Sequence, residues 1–273
     1  LRGSGNWFLY ASARIGSPRL RAAPTFSLQP KYLRSYGKEK GLKQYILREY
    51  GSWGVMTLSY LTGLVVSGRA TPGVVAVFTA IALYINSKQA LVLWMRRREG
   101  NPSRALAVFV LQVLAATMLL LPVLGKDLAL LMPYAFVPFA YLISLKFLGE
   151  HSIITEISGF VLLSLSALVA KLTATGVIDP ELFTTAAIFF TAGVFKVRVQ
   201  FSKGMLQRIL MVSYVGFAIA AYWLMHTPVV VLLPLIDNLV FSITLYKLKL
   251  RVTGWLEVLK GIAFLLLMAM NYR

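Results

Sequence analysis

The sequence predicts an all-α fold: a polytopic membrane helix bundle of about nine transmembrane helices, with the N-terminus cytoplasmic. Three observations predict it. Of the 273 residues, 58% are hydrophobic and only 14% charged, whereas soluble domains carry about 25% charged residues. Apolar runs close to the ~20 residues that span a bilayer recur along most of the chain. Finally, Lys and Arg crowd into alternate connections between those runs, as expected for loops on the cytoplasmic side. A formal charge of +18 by itself suggests nucleic acid; in so apolar a chain it marks the inner loops, and no nucleic-acid partner is expected.

Residues 1–47 read as a basic N-terminal tail ahead of a transmembrane domain over 48–273. The tail contains Arg2, Arg14, Arg19, Arg21, Lys31, Arg34, Lys38 and Lys40, meets its first acid at Glu39, and has no long apolar run. Three readings fit: a basic arm on anionic lipid, an Arg-rich and acid-poor transit peptide, or a translated upstream extension with little structure.

The nine expected spans are Tyr50–Gly68, Pro72–Met95, Ala105–Leu124, Leu128–Leu148, Ile154–Gly176, Leu182–Phe201, Ile209–Thr227, Pro228–Leu248 and Trp255–Tyr272. The shortest separations are Gly125-Lys126-Asp127 and His226-Thr227-Pro228. Each holds a breaker or a charge, so each reads as a tight hairpin between antiparallel helices. With the N-terminus inside, 23 Lys and Arg fall on inner segments and three on outer ones, while Lys171 and Lys260 lie within helices. Leaving out the tail and Arg48, the inner count is still 13. This predicts a multi-pass protein of the cytoplasmic membrane with its C-terminus outside. Pro122, Pro133, Pro138 and Pro234 predict kinks or unwound turns. Ser158, Gly159, Ser164, Ser166, Ala167 and Ala170 predict a central, closely packed fifth helix.

Several chemistries have no residues to support them. Without cysteine there is no disulfide, thiolate metal site or covalent c-type haem. His151 and His226 fall at opposite ends of the expected bundle and cannot ligate one haem; they read as interfacial side chains. There is no phosphate-binding Walker loop, HExxH zinc motif or G-x-S-x-G elbow. No metal and no cofactor are expected, and nothing identifies a catalytic residue or decides whether the chain is an enzyme.

Polar residues inside the expected helices are more informative. Arg48 and Glu49 open the first helix, and Lys88 and Gln89 lie near the inner end of the second. Glu156 opens the fifth, Lys196 and Arg198 close the sixth, and Glu257 and Lys260 open the ninth. An ionisable group facing lipid costs at least ~2.5–3.5 kcal/mol, so such groups face a cavity or a partner. One reading is a cytoplasm-facing polar cavity binding an amphipathic ligand (quinone-, isoprenoid- or lipid-like), with the cations meeting its head. Arg48, Glu49, Gln89, Glu156, Arg198, Glu257 and Lys260 are its expected contacts. The plainer reading is that the cations snorkel to lipid phosphates and that Glu257 and Lys260, spaced i,i+3, neutralise each other. Asp237 and Asn238 lie near the middle of the eighth helix, too deep to snorkel. They read as a proton carrier or cation partner, or as an inter-helix hydrogen bond.

Five stretches together resemble the YwiC-like family of membrane proteins. Arg48-Glu49-Tyr50-Gly51-Ser52-Trp53-Gly54 is similar to its R-E-H-G-x-W-G, with Tyr50 in place of the histidine. Lys88-Gln89-Ala90-Leu91 followed by Arg96-Arg97-Arg98 is similar to its second helix and basic loop. Glu156-Ile157-Ser158-Gly159-Phe160, Val194-Phe195-Lys196-Val197-Arg198, and Gly254-Trp255-Leu256-Glu257 with Gly261 are similar to its later segments. The resemblance runs from Arg48 to the C-terminus and implies a membrane class and candidate polar positions, not a reaction. In helix count and polar clustering the chain also looks like UbiA-type prenyltransferases, but it lacks their magnesium-binding aspartates; that likeness is one of architecture. Expected partners are membrane lipids, the amphipathic ligand and other membrane proteins. Two alternatives to the ligand cavity stay open. One is a cofactor-free accessory subunit of a larger, for example respiratory, membrane complex. The other is a proton-coupled transporter resting on Asp237.

Overall fold

The computed structural model describes residues 45–47, 49–96, 102–246 and 250–272. The expected basic tail up to residue 44, Arg48, and parts of two basic loops (97–101 and 247–249) lie outside the described residues. Among those described, the fold is all-α with no strand. The helices are α1 (Tyr50–Ser67), α2 (Gly73–Arg96), α3 (Pro102–Leu124), α4 (Leu128–Leu131), α5 (Phe136–Leu148), α6 (Ile153–Thr175), α7 (Pro180–Ser202), α8 (Met205–Leu224), α9 (Ile236–Thr244) and α10 (Leu250–Asn271). Two 3₁₀ stretches interrupt the series, Met132–Tyr134 between α4 and α5 and Val229–Leu235 immediately before α9.

The local sequence explains the boundaries. The hydroxyl of Ser152 accepts from the Thr155 amide at the start of α6. The Asp179 carboxylate accepts from the Leu182 amide at the start of α7, where Pro180 takes the first helical position; both leave fewer orphan amides. At the far ends, Gly68 and Gly176 close α1 and α6 at φ 61° and 72°, backbone angles that cost glycine little. The chain leaves the helix at both expected breaks: Gly125 N–H donates to Leu121 O at 2.8 Å as α3 ends, and Thr227 N–H donates to Tyr222 O at 2.9 Å beyond α8; the segment after the second break packs back on α8, whereas α3 packs on α2.

Six described helices are long and apolar enough to cross a membrane, or seven when α4, its 3₁₀ turn and α5 count as one span bent by 42°. The expected nine is therefore not confirmed. Each expected segment is mostly helical among its described residues, but α1 and the Val229–Thr244 stretch do not qualify, for different reasons. α1 opens on the weakly apolar Tyr50-Gly51-Ser52-Trp53-Gly54 and carries Ser59 and Thr62 further along, both fully buried. Val229–Thr244 has only 16 residues, broken between 3₁₀ and α-helix just after Pro234. Its contour is nonetheless about 27 Å, because a 3₁₀ residue rises ~2.0 Å against ~1.5 Å in an α-helix, close to the ~30 Å hydrocarbon core.

Packing ranks the helices. α7 is the centre: 83% of its most apolar window is buried, against 6% for α3, which lies along α2 at the edge. Phe189 and Phe190 of α7 pack on Phe264 of α10, with the Phe189 and Phe264 rings stacked at 4.0 Å. α1 and α6 approach so closely that a Cβ on Gly63 would lie 2.2 Å from the carbonyl oxygen of Ala167. Here the small residues expected in the fifth helix serve backbone proximity, and Ser166 Oγ donates across to Met56 O at 3.0 Å.

Candidate functional site

Among the described residues, four groups of charged side chains stand out. At one end of the bundle, Lys88 Nζ lies 2.9 Å from both carboxylate oxygens of Glu49 and 4.0 Å from Glu150. Ser52 Oγ also donates to Glu49, at 2.8 Å. This joins the start of α1, the end of α2 and the α5–α6 turn. From the same turn His151 offers its carbonyl to Arg198 at 2.8 Å, while Arg198 Nε donates to Glu156 at 2.8 Å. Both side chains of that pair remain about one-third exposed, at 30% and 33%, so it contributes little, of the order of 1 kcal/mol or less.

The opposite end is held differently. Lys171 of α6 is bonded to Asp179 ahead of α7, and Tyr272 beyond α10 donates its hydroxyl to both Asp179 oxygens at 3.1 and 3.2 Å. Burial pushes the Asp179 carboxyl up, but Lys171, the Leu182 amide and Tyr272 outweigh it and hold it below the usual aspartate range. The Tyr272 phenol is raised, first by burial and then by the neighbouring Asp179 and Glu181 charges. Thr227 donates to Glu181 at 2.8 Å, pinning the α8 turn to this end.

The fourth group lies where α7 and α10, both of membrane-spanning length, meet the shorter α9. Lys196 of α7 is bonded to Asp237 of α9 and lies 3.1 Å from Glu257 of α10. Lys260, one turn beyond Glu257, lies 2.5 Å from that carboxylate and 3.6 Å from Asp237, and donates to Asn238 Oδ1 at 2.7 Å. Asn238 donates in turn to Ala192 O at 3.4 Å. Tyr246, just past α9, donates to the second Asp237 oxygen at 2.7 Å. Two lysines face two carboxylates, and their exposures differ. The side chains of Lys196 and Lys260 are 0% and 10% exposed, while those of Asp237 and Glu257 keep 31% and 28%. The cations are the inner members and the carboxylates the outer ones. Asp237 sits in the first turn of α9, right after the 3₁₀ break, where the positive end of the helix dipole favours its charge.

The structure thus sorts the expected residues. Glu257, Lys260, Asp237 and Asn238 come together, and Glu49 joins Lys88. Arg198 and Glu156 meet each other, while Glu257 is bonded to Lys196 and Lys260 and not to that pair. Gln89 is half-buried on α2. Arg48 lies outside the described residues. Sequence reasoning missed the full burial of Lys196, which its place near a helix end disguised. It also missed Tyr246, which no local pattern marks, and the Lys171–Asp179–Tyr272 anchor, for which the Asp179-Pro180 helix start was the available clue. No group of three His, Cys, Asp or Glu among the described residues is arranged to hold a metal ion.

One protein family accounts for part of the chain: residues 46–171 match the family model described as YwiC-like protein. No curated protein and no solved structure matches the chain. The matched region includes Glu49, Lys88, Glu150 and Glu156. Lys196, Asp237, Glu257 and Lys260 lie beyond it.

Proposed function

Residues 46–171 match the YwiC-like family model, and from that similarity we propose that this integral membrane protein belongs to the family and binds the polar head of an amphipathic ligand where α7, α9 and α10 meet. The proposal includes a cytoplasmic-membrane location, with the N-terminus inside, and a polar hollow open to that side. One observation carries it: Asp237 of the short apolar α9 and Glu257 of the membrane-length α10 keep about 30% exposure while bonded to a lysine that has none. Carboxylates exposed to lipid are costly, so these groups face a polar hollow. The surrounding apolar helices supply room for a hydrocarbon tail, and Lys196, Lys260, Asn238 and Tyr246 supply donors for the head.

The test is native mass spectrometry of the full chain released from a mild detergent. The wild type is expected to carry a lipid-like or quinone-like adduct of small-molecule mass, which Lys260→Met loses while still eluting as a folded species. A wild type with no adduct, or an adduct unaffected by Lys260→Met, overturns the assignment. A bare chain that co-purifies with a second membrane protein instead supports the accessory-subunit reading.

A further inference from the structure

We infer that the head group taken up at this site is uncharged and carries hydroxyl donors: the ligand is an amphiphile that ends in an alcohol, a polyol or a hydroquinone. The inference rests on the ligand-binding reading above and names the class of head. Two observations carry it. The first is charge balance. Lys196, Lys260, Asp237 and Glu257 bring together two cations and two anions, whose formal charges cancel. A head with a net charge of either sign unbalances the group beside a lysine that has no exposure, where uncompensated charge is expensive. An uncharged head leaves the balance as it stands.

The second observation is the order in which an incoming head meets the polar atoms. The Asp237 and Glu257 side chains keep 31% and 28% exposure, and the lysines lie behind them at 0% and 10%. A carboxylate only accepts hydrogen bonds, so a head that pairs with it has to donate. A quinone carbonyl, an ether or an ester oxygen has no proton to offer. At Glu257 both lysine contacts use Oε1, which is closed to solvent, and this leaves Oε2 as the acceptor for a newcomer. That oxygen lies 3.4 Å from where a Cβ on Gly193 of α7 would stand, with the Phe160 ring of α6 at 3.7 Å from the same point. The bare glycine keeps the approach open, and the ring gives it an apolar wall. At Asp237, Oδ2 faces the two lysines while Oδ1 accepts from Tyr246, and a carboxylate oxygen has a lone pair for a second donor. A hydroxyl head donates to these oxygens without disturbing the charge balance, and its own oxygen still accepts from the donors around it.

The experiment uses the full chain in nanodiscs of phosphatidylcholine, a lipid whose head has no N–H or O–H donor and so does not compete for the carboxylates. The probe is a long-chain diol with a photoactivatable diazirine next to the head, and its adducts are mapped by peptide mass spectrometry. Adducts are expected on α7, α9 and α10 around Gly193, Asp237 and Glu257. Unlabelled competitors share the alkyl chain and differ in the head: the diol, its dimethyl ether, a sulfate and a trimethylammonium. The diol should displace the probe at a concentration about tenfold or more below the others, because methylation removes hydrogen bonds to charged acceptors and a charged head unbalances the site. Asp237→Asn and Glu257→Gln each leave the group with one net positive charge, and in either variant the sulfate should gain about tenfold on the diol. A dimethyl ether that competes as well as the diol overturns the donor requirement, and a sulfate or trimethylammonium that competes better in the wild type overturns the uncharged head; both results leave the ligand site standing. A sulfate that gains nothing in either variant overturns the argument from charge balance. No adduct on these helices, or adducts that none of the competitors displaces, overturns the site as well.

Discussion

Lys196→Met is the most direct test of how the interior of this bundle is held. The substitution keeps an unbranched apolar stem in a site with no exposure and removes the ammonium that faces both Asp237 and Glu257. At 3.1 Å from Glu257, and with an effective dielectric of about 20, one such attraction is worth roughly 5 kcal/mol before desolvation. Methionine does not bear the cost of desolvating a lysine, which returns part of that sum. The carboxylates are also about one-third exposed, so solvent and Lys260 relieve some of the remainder. Breaking one side of a buried pair typically costs 3–5 kcal/mol, and these discounts place Lys196→Met near the lower end, at about 3 kcal/mol. With a shift of about 2–4 °C per kcal/mol for a chain of this size, the melting temperature in detergent should fall by roughly 6–12 °C. Fluorescence-detected gel filtration after heating reads it directly. Removing one orphaned charge as well, in Lys196→Met with Glu257→Gln, should recover a good part of the loss. If Lys196→Met melts within 2 °C of the wild type, the ion cluster makes no net contribution and the reasoning is wrong.

Other expectations are equally concrete. Gly63→Val forces a side chain against the Ala167 carbonyl, which a Cβ would approach to 2.2 Å; backbone on both sides cannot yield, so a loss above ~3 kcal/mol or failure to accumulate is expected, and normal expression with unchanged melting would contradict it. Asp179 has its carboxyl held below the ordinary range. Its stabilising contribution is therefore fully present above about pH 4 and is lost as pH falls through the depressed folded value. Asp179→Asn should lower the melting temperature at pH 6 and narrow its gap to the wild type under acid; a constant gap from pH 6 to pH 2.5 would refute this. The proposed orientation can be read in the cysteine-free background: Lys126→Cys should react with an impermeant maleimide added to intact cells and Ser103→Cys should not, and the reverse pattern would invert the topology.

The two ends of the bundle differ in how readable they were. Glu49, Lys88, Glu156 and Arg198 stand out in the sequence because each charge interrupts an apolar run near its end. The alternation of runs then places all four at one end of antiparallel helices, and the Lys88–Glu49 and Arg198–Glu156 bonds join them there. The other end was harder to read. Lys171 reads in the sequence only as a charge within a helix, and Asp179 has no assigned role there. That Tyr272 lies 93 positions from Asp179 and closes on it follows only from α10 returning alongside α7.

The sequence by itself determined the class of this protein. Hydrophobicity and its periodic interruption depend on composition and spacing, so the helices, the breaks between them and the apolar character of the bundle follow without tertiary information. Helix length in a bilayer is also local, although α1 and the Val229–Thr244 stretch show where that rule stops: a weakly apolar first turn, or a 3₁₀ break, changes what counts as a span. Burial, by contrast, is a property of neighbours. Lys196 and Arg198 are two residues apart on one helix and project to different faces. One is sealed between two carboxylates and the other stays partly open beside Glu156. Which lysine is enclosed, which carboxylate is reachable, and that α7 rather than α6 is the most deeply buried helix were decided by how α1, α6, α7 and α10 pack, because desolvation is set by atoms distant in sequence.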